Sequence, residues 1–285
     1  MAPLGEEPDD SLVRFEVHEM SRSRLSIAHL LAVVAAVSLV VCGVAAPGHA
    51  KRVPEWQPLF NGRDLSGFYT WLPSTGRNKD PKGVFKVHDG MIHILDIPVT
   101  GERQEFGYIA TEREYSRYRI RFQYKWGKKK FPPRDRAKRD SGILYHFVGE
   151  DRIWPMSLEC QVQEGDTGDF FMVGGTQITT TVVSTEQRPL KFDPMGVRWV
   201  QRGGRIVKAQ TVDSLTDWNT VEVVVNGAEE AVHIVNGKLV NRGRDLRRPA
   251  PDNPKKMIPL ERGRILFQAE GAEVFYRNIE IQLLD

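Results

Sequence analysis

The chain has 285 residues, 40% of them hydrophobic and 27% charged, with 40 Lys and Arg against 37 Asp and Glu and only two cysteines. Such a chain can bury its own core, which excludes a disordered or low-complexity protein and a disulfide-stapled scaffold. The charge is nearly balanced and no recognisable nucleic-acid motif accompanies a basic face, so a nucleic-acid partner is not expected.

In chain order, Arg22 and Arg24 precede an uncharged apolar run from Leu25 to Ala46, which ends in Pro47-Gly48-His49-Ala50. A basic flank, an apolar stretch and a small-x-small exit are the parts of a secretory signal. Export to a secreted or periplasmic location is therefore expected, with Met20 as the true start. The run approaches the length of a spanning helix, so a retained anchor and membrane association are the alternative. Val41 stands where a lipid-anchored Cys42 would need a small residue. The expected division is an N-terminal extension and signal, 1–50, followed by one domain, 51–285. Cys160 would then be the only cysteine of the domain and a buried thiol.

The first 50 residues hold three Arg and six Asp and Glu, so the remainder carries +6. Lys125–Arg139 contributes eight basic residues against Asp135 alone. That segment reads as a solvated, mobile loop rather than part of a charged field.

From residue 51 onward the pattern is β. Arg119–Trp126 alternates polar and apolar residues, as does Val274–Leu283, while Thr220–Val225 and Ala231–Val235 are short and β-branched. Period-two alternation buries one face of a strand. Asn226-Gly227 and Asn236-Gly237 bracket a strand with hairpin turns, and His88 and His93 flank another turn at Asp89-Gly90. The four prolines of Arg247–Pro259 read as a long surface loop. Short strands between turn signals, with no βαβ rhythm, predict an all-β sandwich or barrel.

Five stretches, in order, resemble the 3-keto-disaccharide hydrolase (DUF1080) family: Trp56–Gly67, Asp140-Ser-Gly-Ile-Leu-Tyr-His146, Leu158–Asp169, Trp218–Glu222 with Asn236-Gly237, and Ile265–Ile279. The resemblance implies a concanavalin A-like jelly-roll sandwich of two curved antiparallel sheets. It also implies a site on the concave sheet that acts on 3-keto glycosides. Asp140 stands where the family usually has Asn, His146 where Arg is frequent and Glu270 where His is frequent.

On an extended strand Glu159, Gln161 and Gln163 share one face, and Leu158, Cys160 and Val162 share the other, which should be the core. A carboxylate beside amides suits sugar hydroxyls, which need both donors and acceptors. A 3-keto group acidifies the C2–H bond, so a base can remove that proton and the C1 oxygen can leave. Glu159 and His146 are the candidate proton-transfer pair. Gln161, Tyr145, Ser141, Asp166, Gln268 and Glu270 are the candidate substrate-binding residues. No spacing indicates zinc or another metal, and a structural calcium on carboxylates is the one cofactor the sequence leaves open.

Two alternatives share the sandwich. Glu159-x-Gln-x-x-Glu164 resembles the catalytic strand of laminarinase-type retaining hydrolases, although residues 159 and 164 point to opposite faces of a regular strand. A non-catalytic carbohydrate-binding module would stack sugars on tryptophans such as Trp71, Trp126, Trp154 or Trp199, with Trp218 expected in the core.

Overall fold

The structure, a computed structural model, describes residues 54–285; the expected signal segment, the start at Met20 and Cys42 lie outside them. The described residues form strands and turns only, and none of their segments is a helix long and apolar enough to cross a membrane.

The strands, in chain order, begin with β1 (Gln57–Pro58), β2 (Phe68–Leu72), β3 (Gly76–Arg77), β4 (Phe85–His88), β5 (Met91–Ile94), β6 (Gly107–Thr111) and β7 (Arg117–Lys130). The middle of the chain supplies β8 (Asp140–Val148), β9 (Met156–Gln163), β10 (Phe170–Val182), β11 (Val197–Ile206), β12 (Asn219–Asn226) and β13 (Glu230–Val235). The last four are β14 (Lys238–Pro249), β15 (Met257–Pro259), β16 (Arg264–Ala269) and β17 (Ala272–Leu283).

All named pairings are antiparallel and fall into two layers. One layer runs β4–β5–β17–β7–β12–β13. The other runs β3–β2–β6–β16–β8–β9–β10–β11. The long β14 joins them, pairing with β13 on one side and with β10 on the other. β10 exchanges its β9 neighbour for β14 across Val173–Thr176, where Gly174 and Gly175 both have positive φ. A Cβ on Gly174 would lie 2.9 Å from Met156 Cα, so this corner requires glycine.

The alternation read in the sequence sets the core. Tyr118, Ile120, Phe122, Tyr124 and Trp126 of β7 point inward, and Arg119, Arg121, Gln123 and Lys125 point out. Phe122 and Tyr276 from one layer meet Phe267 from the other edge-to-face, with centroids 5.0–5.6 Å apart. That contact closes the sandwich, and each such ring contributes roughly 1.5–3 kcal/mol by burial. Leu158, Cys160 and Val162 lie in the same core, and Cys160 is a buried free thiol, as expected.

Three expectations change. Arg247–Pro259 is a hairpin end rather than a loop throughout: β14 continues to Pro249 and β15 folds back on it, with Arg247 opposite Pro259, and only 250–256 form the surface loop. The basic stretch 125–139 begins as strand, and Arg134, Lys138 and Arg139 of its later part are tied to acids rather than free in solvent. Trp218 is half-buried with the Arg277 guanidinium 3.8 Å above its ring, because the loop before β12 turns it outward.

Candidate active site

The face of the second layer turned away from the core carries a separate apolar cluster of Tyr69, Tyr108, Ala110, Leu144, Phe147 and Leu266. Strand register orders this face into rows. In one row Phe171, Glu159, Leu144, Leu266, Ala110 and Tyr69 lie side by side. In the next, Gln161, Gly142, Gln268, Tyr108 and Trp71 do so, with Gln268 set beside Gly142 by the β16–β8 register. Glu159, Gln161 and Gln268 therefore converge because three neighbouring strands present them in phase.

Gly142 makes the space for that convergence. A Cβ there would fall 2.3 Å from Glu159 Oε1 and 2.2 Å from Gln268 Oε1. The Glu159 carboxyl is buried and takes no hydrogen bond from any described residue. Burial pushes its pKa well above the ordinary range, and the nearby Glu270 and Asp140 carboxyls push the same way. Gln161 Oε1 accepts the Val162 N–H at 3.0 Å, which leaves its amide N–H groups free to donate. Gln268 Oε1 is buried without a partner.

Asp140, opposite Gln163 at the start of β8, and Glu270, just past β16, complete an acidic trio with Glu159. Asp140 accepts Gln163 Nε2 at 2.5 Å and the Arg134 guanidinium. Arg134 also approaches Glu270 at 3.5 Å. Burial raises both carboxyls, their mutual repulsion adds to Glu270, and Arg134 offsets part of it. The trio thus has one cation for three acids, and Glu159 is the acid without a partner. Two titratable groups pushed apart in this way can divide acid and base roles at neutral pH.

The other end of the face is aromatic. Trp71 stacks on Tyr108 at 5.1 Å and Phe106 on Trp154 at 6.0 Å. Trp71, Phe106, Trp154 and Phe171 are half-buried and present apolar ring surface beside the polar row. Asp151 anchors this end, accepting from Tyr69 Oη at 2.7 Å, Tyr108 Oη at 2.8 Å and Arg77 Nε at 2.6 Å.

The proposed Glu159–His146 pair is not assembled. His146 has φ 52°, and this irregularity in β8 breaks the alternation so that the ring turns to the core side while Phe147 joins the outer cluster. There His146 lies 3.0 Å from Leu260 O and 3.3 Å from Ser116 O, and burial lowers its pKa to about 4. Tyr145 and Ser141 also face the core: Tyr145 Oη is 2.9 Å from His233 Nε2, and Ser141 Oγ donates to Gln268 O at 2.7 Å. Asp166 lies in the turn after β9, bound to Lys138 at 2.8 Å. Glu164, which a laminarinase-type pair would use, is held by Arg139 at 2.7 Å.

Gln161, Gln268 and Glu270 do join Glu159. Sequence reasoning did not select Asp140, Gly142 or Arg134. The first two lie in the Asp-Ser-Gly motif, and the third was hidden in a run of similar charges.

The fold and this face define an all-β sandwich domain with one acid-lined, aromatic-flanked outer face. The chain belongs to the family described as the 3-keto-alpha-glucoside-1,2-lyase-like domain, whose model matches residues 55–282. No curated protein matches the chain. Among solved structures it is similar to a candidate glycosyl hydrolase of Parabacteroides distasonis ATCC 8503 (20% identity, TM-score 0.48, covering 81% of this chain and 94% of that one). It is also similar to the carbohydrate-binding module CBM66 of Bacillus subtilis (8%, 0.45, 77% and 98%) and to LamAcat of Zobellia galactanivorans (11%, 0.42, 78% and 92%).

Proposed function

We propose that this domain cleaves glycosides whose sugar carries a 3-keto group, by elimination across C1–C2 followed by addition of water. The family assignment supports this choice of substrate class. The observation that carries the reading is the Glu159 carboxyl, buried and without a hydrogen-bond partner beside two further acids and two amides.

The chemistry follows from the ketone. A carboxylate of the trio removes the C2 proton, and the electron pair of that bond passes into the C2–C3 enolate. Collapse of the enolate forms the C1–C2 double bond and expels the C1 oxygen, which takes a proton from a neutral carboxyl of the same trio. Water then adds at C1 and a proton returns to C2, for net hydrolysis. Asp140, bound to Arg134, is the acid best held as a carboxylate, and Glu159 is the acid best held neutral. On this reading the free amide N–H groups of Gln161 steady the enolate oxygen. The half-buried rings of Trp71 and Phe171 offer stacking surface for the sugar faces on either side. On the same reading the domain acts outside the cytoplasm, delivered by the segment 25–46.

The test is incubation in D2O with a 3-keto disaccharide and, separately, with its unoxidised parent. Cleavage of the keto sugar alone, with deuterium at C2 of the product, is expected. Cleavage of the parent sugar would replace this reading with an ordinary retaining hydrolase, and affinity without turnover would replace it with a binding module.

A further inference from the structure

A second cluster lies on the outer face of the other layer. β4 and β5 form a hairpin whose turn residues, Asp89 and Gly90, have φ 51° and 74°. This two-residue turn places His88 and His93 on one face of the hairpin, with Lys86 opposite His93. Asp96 follows β5 directly.

If both rings are neutral, their hydrogen bonds set the tautomers. His88 Nδ1 is 3.0 Å from Asp89 Oδ2, and His93 Nε2 is 3.0 Å from Glu273 Oε1. A carboxylate only accepts, so each of these nitrogens carries the hydrogen. The remaining nitrogens, His88 Nε2 and His93 Nδ1, then hold lone pairs, yet they face each other at 2.9 Å. Two lone pairs at that distance repel unless a cation lies between them. Asp96 Oδ2 is 3.6 Å from His93 Nδ1, and the donor atoms of all three residues fall within 4.8 Å of one another. A shared proton would need only two of these atoms; three convergent donors match a metal.

We propose that His88, His93 and Asp96 bind a divalent transition metal of the zinc class. Two imidazoles and one carboxylate suit such an ion, whereas calcium prefers oxygen alone. Zinc–nitrogen bonds of about 2.0–2.1 Å set tetrahedral nitrogens about 3.3 Å apart, so the rings need open by only about 0.4 Å. Each ligating ring already donates its far N–H to a carboxylate, the arrangement that orients metal-bound histidine. On His93 that carboxylate is itself fixed: Glu273 Oε2 accepts the Lys128 and Lys129 N–H groups at 2.7 and 3.0 Å. Phe275 stacks on the His93 ring at 3.9 Å. Lys129 occupies Asp96 Oδ1 at 2.6 Å, and the half-exposed Lys86 ammonium, 3.3 Å from Oδ2, is the group the ion displaces. The ion would clamp the hairpin to the chain that follows it, at a distance from the acid-lined face.

The test is calorimetric titration of the chelator-stripped full chain with Zn²⁺, and with Co²⁺ followed by its visible absorption. One Zn²⁺ per chain should bind with Kd of about 1 μM or tighter, weakened roughly 100-fold in His88→Ala and Asp96→Asn. Saturating Zn²⁺ should raise the thermal midpoint of the wild type by about 5 °C and leave His88→Ala unmoved. His88 is half-exposed, so its variant is expected to fold, and the zinc-free melting curve checks this. Absence of stoichiometric binding at about 0.1 mM Zn²⁺ overturns the proposal, as does equal binding by both variants. A histidine nitrogen spectrum showing an imidazolium that zinc does not perturb would assign the contact to a proton instead.

Discussion

Two glutamates in this molecule are equally hidden, each about 6% exposed, and they have opposite electrostatics. Glu273, on the outer face of the first layer, accepts two backbone N–H groups and lies against His93 and Lys129. Burial pushes its pKa up, but these donors outweigh burial and the net shift is downward. Glu159, on the outer face of the second layer, has no donor at all, and burial and two neighbouring acids move it well upward. Burial alone therefore says little about what a carboxyl does; the number of donors aimed at it decides. Glu273 is arranged to stay charged, whereas Glu159 is left able to gain and lose a proton.

The sharpest way to break this contrast is to make both residues amides. Glu159→Gln should lower turnover of a 3-keto glycoside by about 10²–10⁴-fold, as expected for loss of a proton-transfer group. Glu273→Gln should leave turnover within about twofold but destabilise the fold by roughly 1–3 kcal/mol, because two backbone N–H groups lose a charged acceptor. Equal losses of activity in the two variants would remove the distinction.

Stability against pH separates the two roles further. For Glu159 the folded pKa lies above the unfolded one, so the stability its neutral form contributes is complete below the unfolded value of about 4.3 and is lost as pH rises through the folded value. Glu159→Gln removes that loss. Its melting temperature should match the wild type near pH 4 and exceed it at pH 8. A constant difference across that range would mean that Glu159 is charged throughout.

Next in size is the glycine that lets Glu159 and Gln268 meet. Gly142→Ala should cut turnover by at least about tenfold and mainly through kcat, because the added methyl displaces the reacting carboxyl and amide rather than any distant sugar contact. Unchanged steady-state kinetics would show that the two side chains need not converge.

How much of this was legible in the sequence varies by residue. The alternation in β7, β9 and β17 named the core face correctly, because period two is a direct consequence of strand geometry. Glu159 and Gln161 could be chosen from the same pattern, whereas Gln268 sits in the run Ile265–Ala269, which does not alternate. His146 could not be placed, because its direction depends on a register shift after Tyr145 that leaves no composition signature. Ser141 and Tyr145 follow the regular alternation of β8, but the unbroken apolar run Ile143–Tyr145 does not say which face is the core. Arg134 was read as one of eight solvated charges, and only the fold brings it to Asp140 and Glu270.

Arg134 is the lever on the acid end that acts without touching Glu159. Arg134→Met removes the one cation among three carboxyls, so Asp140 and Glu270 should both move further up. The acidic limb of the kcat/KM profile should shift to higher pH, with a loss of roughly tenfold at neutral pH that recovers in alkaline buffer. A loss independent of pH would mean that Arg134 contacts substrate instead of holding the charge balance.

The smallest expected effect on activity belongs to His146, the residue the sequence paired with Glu159. Its ring nitrogens sit against the carbonyl oxygens of Leu260 and Ser116 on the core side of β8. With its pKa lowered to about 4 by burial, the ring is neutral at working pH and donates through one nitrogen. Asparagine tolerates the positive φ and keeps a donor, so His146→Asn isolates the loss of the ring. Turnover should change by less than about twofold while stability falls by about 1–3 kcal/mol, chiefly from the cavity left beside Tyr118. If His146→Asn instead lost as much turnover as Glu159→Gln and kept full stability, the side of β8 that faces the substrate would have to be reassigned, and the donor count that separates Glu159 from Glu273 would no longer locate the chemistry.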